Sequence, residues 1–374
     1  MNHPITLVIT GGHVTPAIAT IEAIRQSHPN WRLIFVGRKY SLEGTKVLSE
    51  EYRLIHDLGV SFVPITAGRL KRDLGIGTFF SLFKVPVGFA QAFIMLLRKR
   101  PDGILSFGGY VALPVALCAK LLGIPVITHE QTTRPGLANR IIARIATRVC
   151  VSFADTTAML PKTSRVEVTG LPIRSAVLTP PKASPFAVDS DTPVLFVVGG
   201  STGSVSINTA VFAALEKLLS RYTVLHQVGR LSVEAGDKAA RALPQSLRKR
   251  YIHKAFFTAE EYSWALHHSA LIVGRSGANT VSELALVGAV AVLIPLPWSA
   301  GNEQFHNAKV LEKAGSIILE QRQLTAASLI AAIDAITATM TQRKEQAKAL
   351  AATAPHDGAI RLMKTVSEVL TPRR

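Results

Sequence analysis

The chain repeats one local pattern, in which a short apolar strand runs into a turn of small residues and the turn leads directly into a helix. The clearest instance spans Leu271–Glu283, where Ser276, Gly277 and Ala278 form the turn. Free backbone N–H groups and the positive end of the helix dipole face an incoming anion at such a turn, so the pattern predicts a phosphate site. An ordinary strand-to-helix connection has the same local sequence, and a short glycine motif alone does not separate the two interpretations.

Similar stretches occur in both halves of the chain. Ile5–Thr10 precedes Gly11-Gly12-His13, Gly103–Phe107 precedes Gly108-Gly109-Tyr110, and Val194–Val198 precedes the turn of residues 199–204. Strands that alternate with helices predict an α/β protein with parallel sheets covered by helices on both faces. In such open sheets, ligands bind beyond the carboxyl ends of the strands, where these turns lie.

The length of the chain predicts two domains. At about 150 residues per domain, 374 residues exceed one typical domain. Residues 179–193 are rich in proline and polar residues, as interdomain linkers are, so we predict domains at 1–178 and 194–352. Hydrophobic residues make up 48% of the chain and charged residues 18%, which excludes bulk disorder.

A net charge of +17 predicts an anionic partner, which could be nucleic acid, anionic lipid or a phosphorylated substrate. Nucleic acid is the weakest of these, because only 6% of residues are aromatic and no zinc spacing or RNA-binding signature occurs. Cys118 and Cys150 each lie in an apolar stretch, which indicates buried, inert thiols in a reducing compartment. Residues 1–4 lead directly into the first strand without a secretion signal, so we expect the protein in the cytoplasm.

Phenylalanines and cations cluster between Gly68 and Arg100. Phe79, Phe80 and Phe83 lie near several Lys and Arg residues, a combination that favours a peripheral seat on an anionic membrane surface over a place in the core. The apolar run Val85–Leu97 is shorter than the roughly 20 residues needed to span a bilayer, and we expect it to form a buried core helix.

Taken together, eight short motifs in order along nearly the whole chain resemble the MurG family of peptidoglycan N-acetylglucosaminyltransferases. They are Thr10–His13, Phe107–Tyr110, His129–Gln131, Gly170–Arg174, Gly199–Gly203, Arg275–Ala278, Ser282-Glu283 and Gln304–Ala308. The resemblance implies a GT-B fold, with two Rossmann-like, doubly wound parallel-sheet domains that face each other across a cleft. It also implies that a final helix, within residues 353–374, crosses back to the first domain.

The implied reaction moves N-acetylglucosamine from UDP-N-acetylglucosamine (UDP-GlcNAc) to the 4-hydroxyl of the muramoyl sugar of lipid I, an undecaprenyl-pyrophosphoryl muramoyl peptide. The product is lipid II, the reaction inverts the anomeric centre, and neither a cofactor nor an obligatory metal is expected. The implied location is peripheral, on the cytoplasmic face of the cell membrane.

The resemblance also assigns residues. On the donor side, Glu283 binds the ribose and the backbone of Phe257 reads uracil. The other implied donor ligands are Arg174, Ser201, Ser276, Gly277, Asn279, Thr280, Glu303 and Gln304, with Asn307 as a further candidate for the sugar hydroxyls. On the acceptor side, the implied residues are Thr10, Gly11, Gly12, Tyr110 and Thr132.

Two residues are candidates for the chemistry. The acceptor hydroxyl is a poor nucleophile, and a positioned base accelerates such attack by typically about 10²–10⁴-fold. His13, at the mouth of the first glycine turn, is the leading candidate, and Glu130 is an alternative base or an orienting group. Each residue also fits a structural role: His13 as a hydrogen-bonded histidine at a helix start, and Glu130 as a paired core carboxylate.

The chain departs from the family pattern at three places. Val8 and Ile9 replace two glycines, Thr132 replaces an asparagine, and Thr202 replaces a glutamine. The Thr132 hydroxyl is shorter than an amide, which donates and accepts at once, so a different acceptor is one consequence of Thr132. Three alternatives to the main hypothesis therefore stay open: a related GT-B glycosyltransferase with another lipid or natural-product acceptor, a non-catalytic lipid-binding or scaffold protein, and a nucleic-acid binder.

Overall fold

The computed structural model describes residues 4–40, 48–66, 76–162, 164–200 and 203–371, without the side chains of residues 50, 76–85 and 300. The chain forms two compact units. One comprises Met1–Arg174 together with Asp357–Arg374, and the other comprises Ser175–His356. Each unit contains one parallel β-sheet.

The first unit contains a seven-stranded sheet in the order β3-β2-β1-β4-β5-β6-β7. Its strands are β1 (Thr6–Thr10), β2 (Arg32–Gly37), β3 (Ser61–Pro64), β4 (Gly103–Ser106), β5 (Val126–Glu130), β6 (Arg148–Val151) and β7 (Val166–Val168). Its helices are α1 (Val14–Ser27), α2 (Glu50–Asp57), α3 (Ile76–Lys99), α4 (Ala112–Leu121), α5 (Leu137–Ile145) and, from the end of the chain, α15 (Gly358–Leu370).

Strand β1 is central because its side chains enter two different cores. Leu7 and Ile9 pack in one cluster with residues of α1 and α15, and Val8 packs in another with residues of α3 and α4. Successive side chains of a strand point to opposite faces, so a continuous apolar run is needed where both faces are covered. The sequence of β1 supplies that run.

The second unit contains a six-stranded sheet in the order β10-β9-β8-β11-β12-β13. Its strands are β8 (Val194–Val198), β9 (Thr223–Gln227), β10 (Tyr251–Lys254), β11 (Leu271–Gly274), β12 (Ala291–Leu293) and β13 (Ile317–Ile318). Its helices are α6 (Ser175–Leu178), α7 (Val205–Leu219), α8 (Val233–Ala242), α9 (Gln245–Arg248), α10 (Ala259–His268), α11 (Ala278–Val287), α12 (Glu303–Glu312), α13 (Ala326–Thr337) and α14 (Met340–Thr353).

The strand order changes direction once in each sheet. In the first unit β1 pairs with both β2 and β4, and in the second β8 pairs with both β9 and β11. At such a switch point the connections leave toward opposite faces of the sheet, which opens a crevice beyond the carboxyl ends of the two central strands. The predicted parallel α/β architecture is therefore confirmed, and the glycine turns fall at its two switch points.

Helix α3 differs from its predicted role. Ala92 and Leu96 are buried in the core, but Val87, Ile94 and Leu97 are 47–49% exposed. Only one face of the apolar run Val85–Leu97 is therefore core. In the part of the chain that the structure describes, no helix is long and apolar enough to cross a membrane.

Helix α15 belongs to the core of the first unit. Leu362 and Val366 are fully buried in the cluster that contains Leu7 and Ile9, and the Thr365 hydroxyl donates to Glu167 Oε2 at 2.9 Å. The predicted burial of Cys118 and Cys150 is also confirmed. Burial raises the pKa of both thiols, for Cys150 to about 12.

Candidate active site

Two glycine turns lie side by side at the switch point of the second unit. One follows β8 and leads into α7, whose N-cap is Ser204; the other follows β11 and leads into α11, whose N-cap is Gly277. Gly203 has a φ of +78°, and a Cβ there would lie 2.5 Å from the Val228 carbonyl oxygen. The turn therefore requires glycine at this position. The Ser204 side chain accepts from the Ile207 N–H of α7, and Gly277 supplies no side-chain cap to α11. The remaining N–H groups at such helix starts can bind an anion.

Two buried polar atoms accompany this pair of turns. Ser276 Oγ and Asn279 Oδ1 have no hydrogen-bond partner among the described residues. The carbonyl of Ser276 accepts a hydrogen bond from Asn307 Nδ2 at 3.4 Å, which ties α12 to the turn. Thr280 follows in the first turn of α11, whereas Ser201 and Thr202 lie outside the described residues.

Glu283 lies on α11 beyond this turn and is only 6% exposed. Its Oε2 accepts a hydrogen bond from the Tyr262 hydroxyl at 2.6 Å, and the Tyr262 ring packs edge-on against Phe196. A buried carboxylate needs hydrogen-bond donors, and Tyr262 fixes the direction of this one.

The backbone of Phe257 is held by a neighbouring strand. Its N–H donates to Gln227 Oε1 at 3.1 Å, and its ring packs against Phe186 and Phe196. Thr258, the next residue, caps α10 together with Glu261. The Phe257 peptide group therefore has a fixed position at the end of β10.

Residues of α12 shape the loop that follows β12. Gln304 Oε1 accepts from the Leu296 N–H at 3.0 Å, and the Gln304 N–H donates to Ser299 Oγ at 3.3 Å. Asn302, the N-cap, has a left-handed φ of 57°. The sequence predicts a polar loop over residues 295–307, and this is wrong for its second part. Residues 303–307 instead form the start of α12, with Glu303 and Gln304 directly after a tight turn.

The switch point of the first unit holds a second pair of glycine turns. The Gly12 N–H donates to the Gly108 carbonyl at 3.1 Å. A Cβ at Gly11 would lie 2.7 Å from Phe107 Cβ, so the turns meet without side chains between them. His13 is the N-cap of α1, and its Nδ1 lies 3.4 Å from the Phe107 carbonyl oxygen. The hydroxyl of Thr10 is buried without a partner among the described residues.

Glu130 is buried at the end of β5 and accepts three hydrogen bonds. Its Oε1 accepts from the Thr132 N–H at 2.9 Å and from the Thr132 hydroxyl at 2.8 Å. Its Oε2 accepts from Asn139 Nδ2, and Asn139 Oδ1 in turn accepts from the Gly109 N–H at 2.9 Å. The carboxylate therefore connects the turn after β5 to the glycine turn that precedes Tyr110.

His129 is fully buried and neutral. Its Nε2 lies 3.0 Å from the Gly170 carbonyl, which can only accept, so Nε2 carries the proton. Gln131 Nε2 lies 3.3 Å from Nδ1. Burial, as the main cause, lowers the pKa of His129 to about 4.

The structure places the remaining predicted residues as follows. Tyr110 lies under the guanidinium of Arg38, whose carbon is 5.3 Å from the ring centre. Arg174 is the last residue of the first unit before the division, and its Nε is buried without a partner among the described residues. Phe79, Phe80 and Phe83 belong to α3, but their side chains lie outside the described residues.

The sequence did not identify several residues that orient the site residues through hydrogen bonds. Tyr262, Asn139 and Gln227 orient Glu283, the Gly109 turn and Phe257, respectively. Asn208 on α7 donates to the Val228 carbonyl at 2.8 Å, the same oxygen against which Gly203 packs. Single polar residues within helices and strands give no motif, so only the three-dimensional contacts reveal them.

Comparison with known proteins identifies the chain. Residues 5–151 match the N-terminal domain of glycosyltransferase family 28, and residues 194–362 match its C-terminal domain. A UDP-N-acetylglucosamine–N-acetylmuramyl-(pentapeptide) pyrophosphoryl-undecaprenol N-acetylglucosamine transferase of Treponema denticola is 36% identical over 315 residues, covering 82% of this chain and 80% of the relative. The chain belongs to the MurG family.

Further relatives support the assignment of this chain to the MurG family. A transferase of the same name from Lachnospira eligens is 33% identical and covers 87% of each chain. The crystal structure of Acinetobacter baumannii MurG superimposes with a TM-score of 0.73 at 26% identity, over 98% of this chain and 100% of that one. In the described part of the chain, no group of three or more His, Cys, Asp or Glu residues could hold a metal ion.

Acid should destabilise the first unit through His129. Because the pKa of His129 is about 4 in the folded chain and 6.5 in the reference state, the unfolded chain binds the extra proton. The free energy of unfolding should therefore fall as pH drops from 6.5 to 4, by about 3 kcal/mol from this residue.

Chemical denaturation at pH 7 and pH 4.5 measures this loss. His129→Gln should flatten the pH dependence, whereas His56→Gln, at a side chain that is 73% exposed, should leave it unchanged. An equally steep loss in His129→Gln would contradict the assignment.

Proposed function

We propose that this protein transfers N-acetylglucosamine from UDP-GlcNAc to the 4-hydroxyl of the muramoyl sugar of lipid I and so forms lipid II for peptidoglycan synthesis. The observation that carries the proposal is the pair of helix N-termini at the β8/β11 switch point, with a buried, oriented carboxylate at Glu283 beyond them. This arrangement suits a nucleoside diphosphate. We take the sugar and the acceptor from the names of the relatives.

In the proposed donor complex, the diphosphate lies against the N–H groups at the starts of α7 and α11. Ser201, Ser276, Gly277, Asn279 and Thr280 are the assigned phosphate-side contacts. UDP leaves as an anion, so N–H groups and helix dipoles that face the developing charge stabilise the transition state and can fill the role of a divalent ion.

Glu283 accepts the ribose hydroxyls, oriented by Tyr262. Since the Phe257 N–H already donates to Gln227, we assign the uracil contact to the Phe257 carbonyl oxygen. Gln304 uses its Oε1 within its own loop, which assigns its amide nitrogen, with Glu303, to the sugar hydroxyls. Asn307 is fully buried and its Nδ2 donates to the Ser276 carbonyl, so we assign it to the support of the turn. Arg174 stays an assigned donor ligand.

The first unit is assigned to lipid I. Thr10, Gly11, Gly12, Tyr110 and Thr132 surround the β1/β4 switch point and form the proposed acceptor site, with the glycine turn facing the pyrophosphate. We propose His13 as the base. Its Nδ1 faces the Phe107 carbonyl, which only accepts, so Nδ1 carries hydrogen and Nε2 is the atom that takes the proton from the acceptor hydroxyl.

The proposed reaction is a single displacement at C1 of the sugar. The acceptor oxygen forms a bond to C1 of the sugar while the bond from C1 to the phosphate oxygen breaks, the proton passes to His13 and UDP departs, with inversion at C1. Glu130 is assigned an orienting role, because three donors already occupy its two oxygens.

A peripheral seat on the cytoplasmic face of an anionic membrane is also proposed. It would bring the enzyme to its lipid-linked acceptor. The exposed apolar face of α3, which contains Val87, Ile94 and Leu97, runs into the exposed cations at 98–100. Such a face adjoining cations suits anionic headgroups.

Glu283→Ala should weaken the binding of UDP by about 10- to 100-fold, because a charge-assisted hydrogen bond to the ribose is lost. Isothermal titration with UDP measures the effect. Glu216→Ala, at an exposed position of α7, is the matched control. If the Glu283 variant and the control bound UDP with equal affinity, Glu283 would not be a donor ligand.

His13→Ala should lower kcat by about 10²–10⁴-fold, with the affinity for UDP unchanged, because the base acts only on the acceptor hydroxyl. Steady-state turnover and UDP titration of the same preparation separate the two quantities. His56→Ala, at an exposed site, should match the wild type. Undiminished turnover of His13→Ala would exclude His13 from the chemistry.

Replacing Phe79, Phe80 and Phe83 together by Ser should reduce binding to anionic phospholipid vesicles at least roughly tenfold. The reason is that the apolar contact of three aromatic side chains with the membrane interface is lost. Vesicle co-sedimentation measures it. Leu231→Ser, at a position that is 92% exposed on the second unit, is the control. Unchanged binding of the triple variant would place the phenylalanines in the core.

A further inference from the structure

Arg38, the first residue after β2, is a cation with no role in the proposed mechanism. Its backbone is fixed by the start of α2, because its N–H donates to Glu51 Oε1 and its carbonyl accepts from Ser49 Oγ at 2.5 Å. Ser49 is also the N-cap of α2, and its own N–H donates to the Lys39 carbonyl at 2.9 Å. The point at which the Arg38 side chain leaves the backbone is therefore held in place.

The side chain of Arg38 extends past the end of β1. Its guanidinium carbon lies 5.3 Å from the centre of the Tyr110 ring, and Tyr110 follows the glycine turn beyond β4. In the sheet, β1 lies between β2 and β4, so a contact between the residues that follow these two strands spans the carboxyl end of β1. A Cβ at Gly109, the residue before Tyr110, would lie 3.6 Å from Gly12 N. The guanidinium therefore lies beside the glycine turns of the β1/β4 switch point.

The guanidinium of Arg38 has donors to offer. Its Nε is buried and has no hydrogen-bond partner among the described residues. A cation–π contact uses the flat face of a guanidinium, whereas the N–H groups lie in its plane. Burial raises the pKa of the Glu51 carboxyl, and the N–H and charge of Arg38 offset only part of that shift. A strong ion pair would lower the pKa of the carboxyl, so Glu51 is a weak counter-ion for Arg38.

An oxyanion is the ligand that suits a guanidinium at this place. Arginine presents a planar fork of donors that matches the paired oxygens of a carboxylate or a phosphate. The acceptor named for the relatives contains both kinds of group, because it carries a pyrophosphate and a pentapeptide, which ends in a carboxylate. Tyr110 is already assigned to the acceptor, so a ligand that contacts its ring lies within reach of Arg38 as well.

We propose that Arg38 binds an oxyanion of the lipid-linked acceptor, with the Tyr110 ring holding the guanidinium in place. The proposal rests on the proposed function, which puts the acceptor at the β1/β4 switch point. It adds a charge to an acceptor site whose other assigned residues are uncharged. The pyrophosphate and a carboxylate of the peptide are the two sources of such an oxyanion, and amidation of the peptide separates them.

Arg38→Gln should raise the KM for lipid I by about 10- to 100-fold, because a charge-assisted hydrogen bond to the acceptor is lost. The KM for UDP-GlcNAc and the Kd for UDP should not change, since the proposed donor site lies in the second unit. Steady-state turnover, with each substrate varied in turn, measures the two KM values, and isothermal titration measures the binding of UDP. A purely structural role of Arg38 predicts that the affinities for donor and acceptor fall alike.

A second acceptor, lipid I with its peptide carboxylates converted to carboxamides, identifies the oxyanion. If Arg38 binds a carboxylate, the wild type should already have a raised KM for this acceptor, and Arg38→Gln should raise it no further. If Arg38 binds the pyrophosphate, the substitution should raise the KM for both acceptors by the same factor. The comparison is a double-mutant cycle between protein and ligand, in which non-additive losses indicate a direct contact.

Arg32→Gln is the matched control, since Arg32 is exposed at the opposite end of β2 and the change in net charge is identical. It should have the KM values of the wild type for both substrates. Arg38→Lys keeps the charge but not the planar fork, so it should raise the KM for lipid I by a smaller factor than Arg38→Gln. It takes the place of Arg38→Gln if that variant does not fold.

If the folded Arg38 variant kept the wild-type KM for both lipid I acceptors, or lost donor and acceptor affinity alike, the role of Arg38 would be overturned and the proposed function would stand. If the wild type transferred sugar to neither acceptor, the proposed function would fall, and the role of Arg38 with it. The two failures are therefore distinguishable in one set of assays.

Discussion

The absence of side chains at a few glycines fixes where the functional groups of each unit lie. A Cβ would stand 2.5 Å from the Val228 oxygen at Gly203 and 2.7 Å from Phe107 Cβ at Gly11. These close approaches hold the turns against neighbouring strand ends and make α1 and α7 begin at the switch points of their sheets. Helix starts with open N–H groups then follow from topology, and the parallel sheets supply the rigid support.

Behind these turns, buried polar residues set the geometry. Glu130 and His129 are hydrogen-bonded in the interior of the first unit, and Tyr262 and Arg275 are hydrogen-bonded in the second. Such groups hold the turns in place, because leaving any one of them unpaired in the interior would cost more than its hydrogen bond contributes. His13 differs, since the hydrogen bond found for its ring among the described residues is that of Nδ1 with the Phe107 carbonyl. This division between scaffold and reacting group underlies the proposed mechanism.

The sequence predicted the parallel α/β units because strands β1, β4, β8 and β11 are strongly apolar and end in glycine or polar turns. It did not reveal β6, β7 or β13, which span only four, three and two residues. The apolar run of α3 predicted burial, but composition does not show that only one face meets the core. Motif residues such as Glu283 and His13 could be found from spacing, whereas Asn139, Tyr262 and Gln227 could not, because their partners are distant in sequence.

The central claim is that one chain joins a nucleotide-sugar site to a lipid-linked acceptor site. Incubation with UDP-GlcNAc labelled in the sugar, together with lipid I in detergent, tests it most directly. Transfer of the label to the lipid, with one UDP released per sugar transferred and inversion at the anomeric carbon, is the predicted result. UDP-GlcNAc binding without transfer to lipid I, but with transfer to a different lipid or natural-product acceptor, would contradict the acceptor assignment; no binding of UDP-GlcNAc would contradict the account as a whole.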